Sequence, residues 1–397
     1  MSLYIARATM AHGIFARMPS HLTSDRKRVL TVVGARPQFV KAAVISRRLR
    51  GMSTAPFEEI LVHTGQHYDP MLSDVFFKEL DMAPPHYHLG VGSHEPAVQA
   101  GIILERLDPI FDQERPDTLL VYGDTTSTLA AALCATYRNV PVVHVEAGER
   151  AYRRTLVPEE SNRVLTDHTA MLCLTATERA RNYLLHEGMS PARVRFVGDP
   201  MYDLFKWAST RHAAGHTSSA AMGLSKGEYH LATIHRVENT TDRKSTLSLL
   251  ETLDASSKPV ILPTHPRLRN ALKRWNWTPQ ENLRLIGPLG YFQLLDLLMD
   301  CDVCVTDSGG VSREAFFAGK PCIIPLPNSW WVEVVEAGWA VETGNDHWKL
   351  AEVLQTFRAP SYAPEGIFGN GDSALQIIES IADLVEHRPS EEIWRSH

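Results

Sequence analysis

Two nucleotide-binding signatures are missing from this 397-residue chain. No G-x-x-x-x-G-K-[ST] occurs, which excludes a P-loop NTPase, and no G-x-G-x-x-G follows a strand-like run, which argues against a tightly bound dinucleotide. No apolar run is long enough to span a bilayer. Positive charge is not in excess: 40 Lys and Arg stand against 46 Asp and Glu, a net charge of -6 that argues against nucleic acid as the main partner. Cysteine is sparse. The five, at 134, 173, 301, 304 and 322, lie mostly in apolar stretches, and their odd number fits a reducing cytoplasm better than a disulfide framework. Cys301-Asp302-Val303-Cys304 is formally a CxxC, but no second pair follows at zinc-ligand spacing, and residues three apart on a strand point to opposite faces. No metal is expected. Residues 1–27 hold no acid before Asp25 and no continuous apolar core, so they make a poor signal peptide and are expected to be a disordered extension.

What is present is a repeated alternation of short apolar runs and helix-like segments. The most informative stretch is Thr118–Arg163. Thr118–Tyr122 and Val140–Val145 read as buried parallel strands, with a helix at Leu129–Tyr137 between them. Each strand ends on a carboxylate, Asp124 after the first and Glu146 after the second, and Glu159-Glu160 follow in the next loop. Open parallel sheets bind ligands at the carboxyl ends of their strands. Taken singly, Asp124 could cap the next helix and Glu146 could pair with Arg150; as a set, the acids point to chemistry.

The same alternation runs along the chain. Upstream, Val29–Val33 leads through Gly34-Ala35-Arg36-Pro37 into a helix at Phe39–Leu49, where a helix N-terminus with Arg36 and Lys41 nearby suits an anion. Ile60–Thr64 ends in Gly65-Gln66-His67-Tyr68-Asp69, with helices expected at Met71–Leu80 and Ala97–Glu114. Met171–Thr175 and Val194–Val197 complete a first doubly wound half; residues 209–226, rich in Ser, Thr, Ala and Gly, read as a mobile connection. Strands then recur at Tyr229–Ile234, Pro259–Leu262, Leu283–Ile286, Val303–Thr306 and Pro321–Ile324. His235 and His265 follow strands on one sheet edge. A lone strand-end histidine is more often structural, but Asp307-Ser308-Gly309-Gly310 between a strand and a helix makes a phosphate-type turn beside them. The expected fold class is α/β: two Rossmann-like, doubly wound parallel-sheet domains facing a cleft, at residues 28–198 and 199–372. Residues 373–397 are expected to form a helix packing back toward the first domain. One wall would bind diphosphate and the other would carry acids, which suits a nucleotide-linked substrate.

Gly34-Ala35-Arg36-Pro37, Thr64-Gly65-Gln66-His67, Gly123-Asp124-Thr125, His144-Val145-Glu146-Ala147-Gly148, Pro158-Glu159-Glu160-x-Asn162-Arg163, His235-Arg236-x-Glu238-Asn239 and Thr306-Asp307-Ser308-Gly309-Gly310 occur in the order of the non-hydrolysing UDP-N-acetylglucosamine 2-epimerases. As a set these motifs are specific, and the chain resembles that family over nearly all of its length after residue 27. The resemblance implies a GT-B-like fold. It also implies C2 epimerisation of UDP-N-acetylglucosamine to UDP-N-acetylmannosamine by elimination and re-addition of UDP, supplying polysaccharide precursors. No metal or nicotinamide cofactor, no nucleic acid and no membrane enter; the expectation is a cytoplasmic homodimer, with the Met71–Leu80 and Ala97–Glu114 helices as contact surfaces. Carried over residue by residue, Asp124, Glu146, Glu159 and His235 match the catalytic positions. Arg36, Lys41, His265, Ser308, Gly309, Gly310 and Glu314 match UDP-holding positions, with Glu314 on the ribose, and Arg163 orients the acid loop.

Two departures from the family pattern bear on substrate choice and on regulation. Pro327-Asn328-Ser329-Trp330-Trp331-Val332-Glu333 stands where many members have Thr-Glu-Arg-Pro-Glu, and resembles a branch that includes epimerases of UDP-2,3-diacetamido-glucuronic acid. Trp331 either packs on apolar surface or reshapes the pocket, and Arg150, Arg153 and Arg154 could meet a uronate. Asp69 stands where substrate-activated members have a second glutamine, which puts an allosteric site in doubt. A hydrolysing relative and a GT-B glycosyltransferase are the other readings; product analysis separates them.

Overall fold

In the computed structural model the described residues are 26–66, 79–151, 158–215, 218–327, 329, 331–362 and 365–387. The chain divides into two compact units. One comprises the residues up to Val197 with those from Ala374 onward; the other is Gly198–Ser373.

The first unit runs β1 (Lys27–Val33), α1 (Arg36–Arg50), β2 (Phe57–His63), β3 (Tyr87–His88), α2 (Pro96–Glu114), β4 (Thr118–Tyr122), α3 (Thr126–Tyr137), β5 (Val142–Val145), α4 (Pro158–Thr169), β6 (Leu172–Thr175), α5 (Glu178–His186) and β7 (Val194–Phe196). All seven strands are parallel, in the order β3-β2-β1-β4-β5-β6-β7. Every residue of β4 and β5 is buried, as expected of strands covered on both faces. The cover over β4 is thin because α3 presents Ala130, Ala131, Ala132 and Ala135, and small side chains let a helix lie close to its sheet.

The second unit runs α6 (Pro200–Ala213), a helical turn at Ser218–Ala221, β8 (His230–Thr233), α7 (Val237–Thr240), α8 (Arg243–Asp254), β9 (Val260–Pro263), α9 (Pro266–Trp275), β10 (Leu283–Ile286), α10 (Tyr291–Asp300), β11 (Cys304–Thr306), α11 (Gly309–Phe317), β12 (Cys322–Ile324), α12 (Val332–Glu336), β13 (Ala340–Glu342) and α13 (His347–Thr356). Its six parallel strands follow the order β10-β9-β8-β11-β12-β13. The last helix, α14 (Ser373–Glu386), belongs from Ala374 onward to the first unit. It buries Ala374, Ile377, Ile378, Ile381, Leu384 and Val385, a helical apolar stripe, and Asp383 meets Arg195 at 2.6 Å.

In both sheets the strand order reverses once. In the first the reversal falls between β1 and β4; in the second it falls between β8 and β11. At such a switch point the connections leave on opposite faces, and a crevice opens at the strand ends.

Several sequence expectations need correction. Residues 209–226 are not a continuous loose connection: α6 extends to Ala213, and Ser218–Ala221 forms a helical turn. The first strand begins at Lys27, inside the expected extension, and the strand expected from Val140 begins at Val142. Cys301 is not in a strand but ends α10; only Cys304 lies in β11. Residues 1–25, most of the Met71–Leu80 helix, His67 to Asp69, Arg153, Arg154, Asn328 and Trp330 lie outside the described residues. Among the described residues, no helix is long and apolar enough to cross a membrane, and no group of three potential metal ligands forms.

Candidate active site

The sheet reversal of the first unit brings together the turns after β1 and β4. Gln38 ties them. Its Oε1 accepts the N–H groups of Gly34 (2.7 Å) and Ala35 (3.0 Å), while its Nε2 donates to the Tyr122 carbonyl and to the Thr128 hydroxyl, both at 2.8 Å. Gln38 is 1% exposed, so this amide is a structural bolt rather than a ligand. Gly34 is required by space: a Cβ there would lie 2.2 Å from Ser127 Oγ and 2.4 Å from Thr64 Oγ1. Those hydroxyls bond each other at 2.8 Å, and Gln66 accepts from Ser127.

At this edge two carboxylates each meet a buried cation. Glu146 Oε2 lies 2.5 Å from Lys41 Nζ, with side-chain exposures of 7% and 3%. Asp124 Oδ2 lies 2.5 Å from Arg163 Nη2; Arg163 is buried and Asp124 partly open. Neither alternative role holds. Thr125, not Asp124, caps α3, its hydroxyl accepting the Thr128 N–H. Arg150 does not pair with Glu146; it grips Glu187 at 2.7 and 2.8 Å and Asp167 at 2.7 Å. Glu146 itself sits at φ +64, in the left-handed region. For a residue with a full side chain that conformation is uncommon and unfavourable, and such outliers gather at functional sites.

Burial alone would lower the Arg163 pKa; Asp124, Glu146, Glu149 and Asp167 outweigh it and hold the guanidinium charged. Glu149 was not singled out from the sequence. It is 5% exposed and faces Arg163 electrostatically, and only the folded turn after β5 places it there. Of the next acid pair, Glu160 is buried and accepts the Ala151 N–H at 2.8 Å, whereas Glu159 is exposed in the first turn of α4. Arg36 is exposed at the start of α1.

The second unit's sheet reversal joins the turns after β8 and β11. Asp307, 4% exposed, accepts the backbone N–H groups of His235 and Arg236 and the Asn239 amide, and lies 3.0 Å from His235 Nδ1. That contact leaves His235 Nε2 on the outer side of an exposed ring. Ser308 caps α11, its Oγ accepting the Val311 N–H, and Gly309 and Gly310 begin the helix with their N–H groups at its positive end. Glu314, one turn on, is buried, and Tyr291 donates its hydroxyl to Oε1 at 2.8 Å. His265 is exposed at the cap of α9, where its Nδ1 accepts the Arg267 N–H.

Trp331 resolves in favour of packing. It is 4% exposed, the Arg313 guanidinium lies 3.8 Å over its ring, and Phe368 meets it edge-on at 5.6 Å. Arg313 in turn binds Asp199 at 2.6 Å. The tryptophan therefore covers a buried ion pair.

Two doubly wound parallel sheets, one with paired acids and cations at its reversal and one with a Ser-Gly-Gly turn, define a two-domain α/β protein of the GT-B-like class. The model of the UDP-N-acetylglucosamine 2-epimerase family matches residues 51–382, and the chain belongs to that family. It is 38% identical over 362 residues to a UDP-N-acetylglucosamine 2-epimerase homolog of Methanococcus maripaludis, covering 90% of this chain and 100% of that protein. To the UDP-2,3-diacetamido-2,3-dideoxy-D-glucuronate 2-epimerase of Pseudomonas aeruginosa it is 36% identical over 364 residues, again covering 90% and 100%. The crystal structure of the Methanocaldococcus jannaschii UDP-GlcNAc 2-epimerase in complex with UDP-GlcNAc and UDP superposes with a TM-score of 0.81 at 31% identity, covering 89% of this chain and 99% of that one.

Proposed function

We propose that this chain is an epimerase that inverts C2 of UDP-N-acetylglucosamine, giving UDP-N-acetylmannosamine as a polysaccharide precursor. The observation that carries this reading is the pairing of Glu146 with Lys41 and of Asp124 with Arg163 at one sheet edge. The C2 hydrogen of the sugar has no adjacent carbonyl, so direct removal is hard. Elimination avoids the problem: the C1–O bond to UDP breaks, the C2 proton passes to a carboxylate, and 2-acetamidoglucal remains. Returning a proton to the opposite face of C2 and UDP to C1 completes the inversion. Ionised acids can take that proton and stabilise cationic character at C1. Asp124, Glu146 and Glu159 form the acid set, and no face of C2 is assigned to any one of them.

In the second unit we assign the departing diphosphate to His235 and the Ser308-Gly309-Gly310 turn, the ribose to Glu314, and supporting contacts to His265. Arg36 and Lys41 are proposed as further UDP-holding positions, Lys41 with its charge beside Glu146. We place the enzyme in the cytoplasm, where its five free, buried cysteines are at home, and expect a homodimer.

The 36% identity to a diacetamido-uronate epimerase supports a second substrate for the same chemistry. A proton NMR time course in deuterium oxide separates the two. UDP-N-acetylmannosamine bearing deuterium at C2 is the expected product. Free N-acetylmannosamine with UDP would identify a hydrolase, and turnover of only the diacetamido-uronate would transfer the activity to that sugar.

A further inference from the structure

His144 is completely buried on β5, and the reaction just described gives it no part. Its Nε2 lies 2.7 Å from the Gly123 carbonyl oxygen, and its Nδ1 lies 2.7 Å from Asp167 Oδ1. A carbonyl only accepts, so Nε2 carries a proton. Asp167 is an acceptor as well: its other oxygen takes Arg150 Nη1 at 2.7 Å and the Gly148 N–H at 3.2 Å. Burial alone would raise the Asp167 pKa, but the His144 ring and Arg150 outweigh it and hold the carboxyl below its usual range. Nδ1 therefore faces a carboxylate oxygen, so both ring nitrogens are placed to donate. A buried ring that donates from both nitrogens needs a counter-charge. Asp167 supplies it, while Arg150 is balanced by Glu187.

This network ends at the backbone beside Asp124. Gly123, at φ +63, donates its N–H to the Val145 carbonyl at 2.9 Å and has its own carbonyl held by His144. The Asp124 carbonyl accepts Asn162 Nδ2 at 3.0 Å, and the Asp124 carboxylate meets Arg163. Asn162, Arg163 and Asp167 all stand on α4, so one helix reaches this turn by three routes, one of them through the histidine.

We propose that His144 is a positioning residue for Asp124: its doubly protonated ring, braced by Asp167, fixes the Gly123 carbonyl and so sets where the Asp124 carboxylate stands. This rests on reading Asp124 as a catalytic acid.

Two amide substitutions divide the ring's contacts. In His144→Gln the side-chain amide takes the place of Nε2 and can still donate to Gly123. In His144→Asn it takes the place of Nδ1, keeping the Asp167 contact and losing the carbonyl. With UDP-N-acetylglucosamine as substrate, His144→Asn is expected to lose about 100-fold in kcat, the scale of an ångström's displacement, with KM within about threefold. His144→Gln is expected to recover at least about tenfold of that loss. Circular dichroism and melting confirm that both variants fold. A kcat near that of the parent in His144→Asn, or equal losses in the two variants, overturns the proposal. Independently, NMR of protein labelled with 15N-histidine is expected to show two N–H groups on His144 at neutral pH, and a bare ring nitrogen overturns the proposal even if neither variant folds. If the parent enzyme turns over no UDP-sugar, the epimerase reading fails, and the ring measurement, which needs no substrate, still decides the state of His144.

Discussion

Replacing Lys41 by methionine keeps most of the length of the side chain and removes its charge. Lys41 and Glu146 are both more than nine-tenths buried and 2.5 Å apart, so water cannot take over the solvation of the carboxylate left behind. Breaking a buried pair from one side typically destabilises by about 3–5 kcal/mol. Here the loss has a ceiling, because Glu146 can take up a proton. Neutralising a carboxyl of ordinary pKa near 4.3 costs about 3.7 kcal/mol at pH 7, at 1.36 kcal/mol per unit, and only about 1 kcal/mol at pH 5. The K41M penalty is therefore expected near 3–4 kcal/mol at pH 7 and smaller by about 2–3 kcal/mol at pH 5. Urea unfolding of both proteins at the two pH values measures it. A penalty below about 1 kcal/mol that does not change with pH would mean Glu146 is solvated or held by other partners, and the acid–cation pairing at this edge would lose its weight. The double variant K41M/E146L, which removes both charges, should recover much of the loss.

Asp124→Asn should leave UDP binding, measured by calorimetry, nearly unchanged while kcat falls by about 100-fold or more; unchanged turnover removes Asp124 from the chemistry. His63 is buried between the rings of Phe39 and His88, and desolvation, with His88 adding to it, pushes its pKa down to about 3. The unfolded chain binds a proton there below about pH 6.5 and the folded one does not, so this residue alone should lower stability by about 2 kcal/mol between pH 7 and pH 5. His63→Phe, which keeps the ring stack, should remove that acid loss, and an unaltered difference between pH 7 and pH 5 counts against the reading. Trp331→Leu uncovers the Arg313–Asp199 pair and leaves a cavity beside Phe368, and should cost about 2–4 kcal/mol in chemical denaturation; a loss under about 0.5 kcal/mol would mean that the ring does not cover the pair.

The alternation of strands and helices was legible because buried parallel strands are short, apolar and bounded by glycine or acid. Two helices hidden from the sequence, α6 and α9, share a cause. Both begin with proline directly after a capping residue, Asp199-Pro200 and His265-Pro266, a combination that closes a strand as readily as it opens a helix. The two- and three-residue edge strands β3 and β13 are too short for any periodicity.

For the site, the residues were legible but their partners were not. Glu146 and Arg150 stand four apart, and the expectation that they pair borrows the geometry of a helix face. The chain there is not helical: it leaves β5 through a left-handed Glu146 and then Gly148, also at positive φ, which turns the two side chains away from each other. The true partner, Lys41, is remote in sequence and near in space only because β1 lies beside β4 and β4 beside β5. Arg163 reaches Asp124 for the same reason, since α4 crosses from β5 to β6 and lays its first turns near the end of β4. Strand order, which the pattern of apolar runs does not carry, decides which charges meet. A chain with the same motifs in the same sequence order, but with β4 and β5 exchanged in the sheet, would move the end of β5 beside β1. Lys41, Asp124 and Glu146 would then face different neighbours, with every motif intact.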